Sequence, residues 1–213
     1  MALPGEFDWG EALKKFKPPF EPRYVFLFSG HMIDAPGRVP PRFPPKMEKI
    51  AAKEIGKKLE ELDAGPKDLA LCSGACGGDL LFAEACLKLG VRLQIRIPFD
   101  EPTFLKNSVT FVEGNWGERY DAVKNNELTT LLVMPDELGP TSPKADPYEQ
   151  VNLWQLYTAL SMGPEKVRFI CLWDGKGGDG PGGTKHMHDS VKERFGLVYV
   201  LDTNVLFKEG EKP

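Results

Sequence analysis

The sequence has no excess of positive charge and no long apolar run. Its 27 Lys and Arg stand against 31 Asp and Glu, so the net charge is −4 and a polyanion meets no overall attraction. No stretch approaches the roughly 20 apolar residues that cross a bilayer. We therefore expect no membrane partner, and the charge balance argues against nucleic acid as a partner.

Cysteine and histidine are also scarce, with four and three residues. The cysteines lie in apolar runs with no secretory signal before them, which predicts reduced, buried thiols in a cytoplasmic protein. They are Cys72, Cys76, Cys86 and Cys171. No second Cys/His pair stands near the first two, and His186 and His188 point about 200° apart on a predicted helix. With no GxxxxGK[ST] motif either, we expect no metal, no bound cofactor and no P-loop.

What the chain does have is a regular alternation of apolar strands and amphipathic helices. Apolar runs predict strands over residues 24–28, 68–72, 91–99, 129–134, 167–173 and 197–201. Helical spacing follows over residues 47–62, 79–89, parts of 103–125, 148–162 and 184–195. Strands that are apolar throughout need cover on both faces. The pattern predicts an α/β, three-layer Rossmann-like sandwich with a mainly parallel sheet of about six strands.

This alternation occupies one predicted domain, residues 23–207. Residues 1–22 combine four prolines with scattered aromatics and predict an N-terminal arm or a linker from a longer protein. Residues 208–213 predict a short charged tail. The arm leaves room for a fused or associated effector module, and a homo-oligomer stays open.

Ligands of an open parallel sheet collect at the carboxyl ends of its strands. Those ends here are Ser29-Gly30-His31, Ser73-Gly74, Pro135-Asp136 and Trp173-Asp174-Gly175. The strongest signal is SGACGGD, residues 73–79, because glycines let backbone approach a ligand and a helix N-terminus favours an anion. The alternative is a tight turn with Asp79 as a helix N-cap. The sequence leaves two roles open for His31: contact with the ligand, or a structural hydrogen bond.

The stretch LALCSGACGGDLLFAEACLKLGVRLQIRIPFD resembles the core of the SLOG superfamily, which includes the DNA-processing protein A family and the LOG phosphoribohydrolases. The resemblance is close over about 32 residues and extends loosely to residue 203. It implies a Rossmann-like domain, a ligand that bridges Gly30 and Gly74, and phosphate pairing by Arg38 as one alternative to a solvated loop arginine.

A second glycine-rich stretch, residues 174–189, resembles the PGG-x-GT-x-x-E motif of the LOG enzymes but is shortened. Met187 stands where that motif has its glutamate, so the catalytic residue that the resemblance would imply is missing. Asp79, Glu84, Asp136, Asp174 and Asp179 are candidate substitutes. The sequence leaves two roles open for Asn152 and Trp154: contact with a base, or packing of the helix.

These observations predict a module that binds or senses a nucleotide-derived, phosphorylated small molecule. N-glycosidic hydrolysis of nucleotides and single-stranded DNA binding are the alternatives, and whether the protein is an enzyme stays open. The candidate ligand-binding residues are Ser29, Gly30, His31, Arg38, Ser73, Gly74, Ala75, Gly77, Gly78, Asp79, Asp136, Asp174, Gly182, Gly183 and Thr184.

Overall fold

The computed structural model describes residues 20–135, 146–177, 182–194 and 197–209. Within them, six strands form one sheet in the order β4-β3-β2-β1-β5-β6, and every neighbouring pair is parallel. The strands are β1 Val25–Gly30, β2 Leu69–Cys72, β3 Arg92–Ile97, β4 Thr129–Val133, β5 Val167–Trp173 and β6 Val198–Asp202. The predicted α/β fold with a six-stranded parallel sheet is confirmed.

Helices cover both faces of the sheet. They are α1 Glu48–Glu61, α2 Gly78–Lys88, α3 Glu101–Phe104, α4 Trp116–Lys124, α5 Pro147–Ser161, α6 Thr184–Arg194 and α7 Thr203–Glu209. Helix α2 contacts α1 and α4 on one face, whereas α5 and α6 contact each other on the opposite face. Right-handed crossovers explain this division, because the chain moves outward from β1 to β4 and then returns past β1 to β5.

Two apolar cores separate the layers. One lies under α1, α2 and α4 and includes Phe28, Phe82 and Tyr120; the other lies under α5 and α6 and includes Leu27 and Phe169. Successive residues of β1 alternate between the two cores, as the period of two in a strand requires. The central strands therefore need apolar side chains on both faces, which is why they appear in the sequence as continuous apolar runs.

The structure differs from the predicted elements mainly after β6. Helix α7 extends through Lys208 to Glu209, where the sequence predicted that a charged tail begins. Phe207 stacks on Phe43 at a centroid distance of 5.5 Å, so this short helix is held by tertiary packing. The partly helical region after β3 comprises α3, a π-helical turn over Leu105–Val109, and α4.

All four cysteines are free thiols and buried, as predicted. Among the described residues, no helix combines the length and apolar character needed to span a membrane. In the same part of the chain, no group of three or more His, Cys, Asp or Glu side chains is arranged to hold a metal ion.

Candidate functional site

The order of the strands reverses between β1 and β5, and this switch point opens a crevice at their carboxyl ends. A cavity of about 280 Å³ lies there. Its lining comes from the ends of β1, β2 and β5, from the π-helical turn, and from the first turns of α5 and α6. The fold therefore brings together chain segments more than 150 positions apart, from Ser29 to Lys185.

Nine of the predicted site residues line this cavity. They are Ser29, Gly30, His31, Ser73, Ala75, Asp79, Gly182, Gly183 and Thr184. The same cavity is lined by nine residues that the sequence interpretation did not include. They are Met32, Arg42, Phe104, Asn107, Ser108, Tyr148, Asn152, Trp173 and Lys185. Of these, the sequence pointed to Asn152 as a possible base contact and to Trp173 as part of a strand end.

The glycines of the SGACGGD turn serve packing rather than the cavity. A Cβ on Gly77 would lie 2.6 Å from the backbone nitrogen of Ile33, and one on Gly78 would lie 3.1 Å from Cα of Gly30. Gly78 N–H donates to the carbonyl of His31 at 3.0 Å. The absent side chains let the start of α2 lie directly on the loop after β1, so Gly77 and Gly78 are outside the cavity lining.

Gly74 also differs from its predicted role. Its φ of +76° requires glycine, but the position of its missing Cβ faces Ile95 and Tyr120 in the core. Of the two glycines that the implied ligand would bridge, Gly30 lines the cavity and Gly74 does not; the backbone next to Gly30 is that of Gly78.

The SGACGGD turn was expected to hold an anionic ligand against its backbone amides. The carboxylate of Asp79 lies there instead. Its side chain accepts the backbone N–H of Ser73 at 3.0 Å, and the helix N-cap is Gly77, so Asp79 is not the cap. Burial raises the pKa of Asp79 to about 7, although bonds from the amides of Ser73, Gly30, Ala75 and Gly74 act in the opposite direction. Asp79 thus presents to the cavity a carboxyl group that changes protonation near neutral pH.

His31 and Asp174 form a buried pair between β1 and β5. The Nε2 atom of His31 lies 3.1 Å from the backbone nitrogen and 3.2 Å from Oδ1 of Asp174. Burial lowers the pKa of His31, although the neighbouring Asp174 carboxylate acts in the opposite direction. The pKa of Asp174 is also lowered: burial alone would raise it, but the N–H of Lys176 and the nearby imidazole outweigh that effect.

The second glycine-rich stretch approaches the cavity through the start of α6. The Ser29 hydroxyl lies 3.5 Å from the Thr184 hydroxyl, which links the end of β1 to this helix. Gly182 has φ +79° and lies against Tyr148, and its carbonyl accepts the Asn152 side-chain amide at 2.6 Å. The first-turn N–H groups of a helix have no partner inside it, so the start of α6 is suited to an anion.

The remaining wall comes from elements between β3 and α5. The hydroxyls of Ser108 and Tyr148 are 3.1 Å apart, and the Ser108 carbonyl accepts the Cys76 N–H at 2.9 Å. These bonds tie the π-helical turn to the SGACGGD turn and to α5. Periodicity could not reveal them, because serine and tyrosine at these spacings carry no motif.

Two predicted residues lie in the adjoining cavity instead. Arg38 and Asp174 line a second opening of about 490 Å³, and Arg38 Nε is 3.5 Å from Asp34 Oδ1. Asp136 and Asp179 lie outside the described residues. Trp154 packs under the guanidinium of Arg96 at 4.2 Å, so the helix-packing alternative holds for it.

The candidate carboxylates and the catalytic position of the LOG motif can be placed as well. Met187 is fully buried in the core beside β5, so this position has no access to the cavity. Glu84 pairs with Arg119 at 2.7 Å on the far side of α2. Neither His186 nor His188 lines the cavity. Among the described residues, Asp79 is the one carboxylate that does.

No protein-family model matches the sequence, and no curated protein matches it. Solved structures of similar fold include a Moco carrier protein from Chlamydomonas reinhardtii, 13% identical over 89% of this chain and 96% of that one, with a TM-score of 0.31. DNA processing protein A from Streptococcus pneumoniae is 14% identical over 87% of this chain and 61% of that one, with a TM-score of 0.39. The structural-genomics protein TM1055 is 11% identical over 89% and 99%, with a TM-score of 0.38.

These likenesses concern the fold and carry nothing about ligands. The SGACGGD turn lies between β2 and α2, the position that the sequence resemblance implies. By the order of its parallel sheet, the chain has a Rossmann-like fold.

Proposed function

We propose that the cavity at the switch point binds a small phosphorylated molecule of the nucleotide class, and that the domain works as a binding or sensing module. The observation that carries the proposal is the meeting of the α6 N-terminus with Arg42 and Lys185 in one cavity. A helix N-terminus and two cations favour an anion at the same position.

The two ends of the cavity differ in charge, and this difference fits a nucleotide. The end at Thr184 and Lys185 has the N-terminus of α6 and a lysine that also pairs with Asp189 on the surface, whereas the end at Asp79 carries a carboxyl group. A phosphate suits the first end, and sugar hydroxyls are donors that suit the second. Tyr148, which is half-buried, supplies flat apolar surface for a base, with the buried Phe104 in the wall beside it. The volume of about 280 Å³ is at the small end of ligand pockets, which suits a nucleoside monophosphate.

The α6 end is favoured over the SGACGGD turn as the phosphate position. Asp79 already accepts the Ser73 amide at the turn, and the Gly78 amide donates to His31. A phosphate there would compete with a covalently attached carboxylate. We therefore assign Gly183, Thr184 and Lys185 to the phosphate, and Ser29 and His31 to the neighbouring part of the ligand.

N-glycosidic hydrolysis is a second candidate because one carboxyl group, Asp79, faces the cavity with a pKa raised to about 7 by burial. Cleavage of a glycosidic bond needs such a group near the sugar. Release of free adenine from AMP by the purified protein, lost in Asp79→Asn, would support it. Binding of AMP without base release would leave the binding module as the function.

The remaining expectations follow from the same proposal. Four buried free thiols suit a reducing compartment, so we place the protein in the cytoplasm. Occupancy of the cavity would be passed to a fused or associated effector module or to a second copy of the chain. Single-stranded DNA is disfavoured as the ligand by the net charge of −4.

Thermal-shift measurements with AMP, adenosine and inorganic phosphate test the proposal. AMP at about 100 times its Kd should stabilise the protein by about 2.7 kcal/mol, and adenosine should stabilise it less because it lacks the phosphate. Lys185→Ala should weaken the AMP response, whereas Lys192→Ala, an exposed lysine near the end of the same helix, should not. No response to AMP, or equal responses in the two variants, would overturn the assignment.

A further inference from the structure

A second cavity adjoins the first, and most of the ionisable side chains that line it are basic. It has a volume of about 490 Å³ and is lined by five cationic side chains but only one carboxylate among the described residues, that of Asp174. The cationic residues are Arg38, Arg42, Lys46, Lys176 and Lys208. In a chain with a net charge of −4, this is a local concentration of the opposite sign.

Arg42 belongs to the lining of both cavities. The His31 and Asp174 pair also joins them, because His31 lines the first cavity and Asp174 lines the second. The carboxylate of Asp174 accepts the N–H of Lys176 at 3.0 Å and lies 3.2 Å from Nε2 of His31, so it is already engaged within the protein. Arg42 and the His31–Asp174 pair therefore lie between the two cavities.

The loop that carries three of the cations is held in place by Asp34. Its carboxylate accepts the backbone N–H groups of Arg42 and Phe43, each at 2.9 Å, and its own N–H donates to the Phe43 carbonyl. Arg38 shares its charge with Asp34, whereas Lys176 and Lys208 come from other elements and are exposed. Cationic side chains from three separate segments thus line one space, where each has N–H donors that phosphate oxygens can accept.

We propose that the ligand is a nucleotide with a phosphate chain, a nucleoside diphosphate or larger, whose distal phosphate lies in this second cavity. The inference rests on the proposed function and extends it. The nucleoside and first phosphate occupy the first cavity, and the chain passes Arg42. The distal phosphate then meets Lys46, Lys176 and Lys208. Arginine and lysine both bind phosphate oxygens through charge-assisted hydrogen bonds.

Calorimetric titration of the full chain with AMP, ADP and inorganic pyrophosphate tests this proposal. ADP should bind about tenfold more tightly than AMP, since one added charge-assisted contact is worth about that factor. The double variant Lys176→Ala/Lys208→Ala should bind AMP as the wild type does but lose the advantage of ADP. Lys57→Ala/Lys192→Ala removes the same charge away from both cavities and should retain that advantage.

Each outcome separates the two proposals. Equal affinity for AMP and ADP in the wild type, or an ADP advantage that survives in Lys176→Ala/Lys208→Ala, overturns the second site and leaves the first. Pyrophosphate binding that is lost in this double variant, with no AMP binding, supports the second site and overturns the nucleotide proposal for the first cavity. No binding of any of the three probes overturns both.

Discussion

The two glycine-rich turns lie at the same cavity but use their glycines and amides differently. In the first turn, Gly77 and Gly78 allow α2 to pack on the loop after β1, and Asp79 takes up backbone amides. In the second, Gly182 packs on the start of α5, while Thr184 and Lys185 open α6 toward the cavity. A count of glycines does not distinguish these cases. The two turns are distinguished by the group that accepts hydrogen bonds from their backbone amides.

The largest expected effect is on stability, at the first turn. Gly77→Ala combines a φ of +91° with a Cβ only 2.6 Å from the Ile33 nitrogen and 2.9 Å from the His31 carbonyl oxygen, and both of these neighbours are backbone atoms that cannot move aside cheaply. We expect a loss of about 4 kcal/mol in the free energy of unfolding, measured by urea denaturation.

Gly37→Ala is the matched control for this substitution. Gly37 has a φ of +79° but no atom within 4 Å of the added Cβ, so the cost should be about 1 kcal/mol, from backbone conformation alone. Similar losses in the two variants would show that close packing is not why the first turn needs its glycine.

The next effect concerns pH and the carboxylate at the first turn. Burial raises the pKa of Asp79 to about 7, from an ordinary value near 3.9, so the folded protein binds this proton more tightly than the unfolded chain. The carboxyl therefore stabilises the fold at low pH, and this contribution is lost as the pH rises through 7. His31 has the opposite sign, since its lowered pKa costs stability as the pH falls.

Comparison of the wild type with Asp79→Asn isolates the carboxyl from His31. From pH 4 to pH 8 the wild type should lose on the order of 3 kcal/mol relative to Asp79→Asn, in urea denaturation at each pH. Parallel stability profiles for the two proteins would mean that Asp79 is not the buried, amide-bound group described above.

The smallest expected effect is on binding, at the second turn. Thr184→Val keeps the shape of the side chain but removes the hydroxyl that lies 3.5 Å from Ser29 Oγ. AMP affinity should fall about fivefold in calorimetry, the worth of one hydrogen bond. Thr130→Val, an exposed position on β4, should leave it unchanged. A loss of the same size at Thr130 would remove the distinction between the two sites.

Much of the fold could be predicted from local pattern. Val25 to Phe28 are apolar throughout because β1 is covered on both faces, and Gly90 follows α2 as a helix stop with φ +73°. Helix α7 could not be predicted in the same way. Its seven residues are too few to show a period, and Phe207 is held by its stack on Phe43, more than 160 positions earlier.

The site could be predicted only where a strand ended in a recognisable turn. Ser29 and Ser73 are examples. Arg42, Ser108 and Tyr148 come from loops and from a π-helical turn, and their positions depend on contacts such as the Asp34 carboxylate with the Arg42 amide. Of the two roles open for Asp79, the helix cap is wrong, because the cap is Gly77 and the Asp79 side chain reaches back to Ser73.

A crystal structure of the protein with AMP tests the central claim most directly. The account predicts a phosphate within hydrogen-bonding distance of the Gly183 and Thr184 amides, with the base near Phe104 and Tyr148. A nucleotide bound outside the switch-point cavity, or one whose phosphate displaces Asp79 from the Ser73 amide, would contradict it.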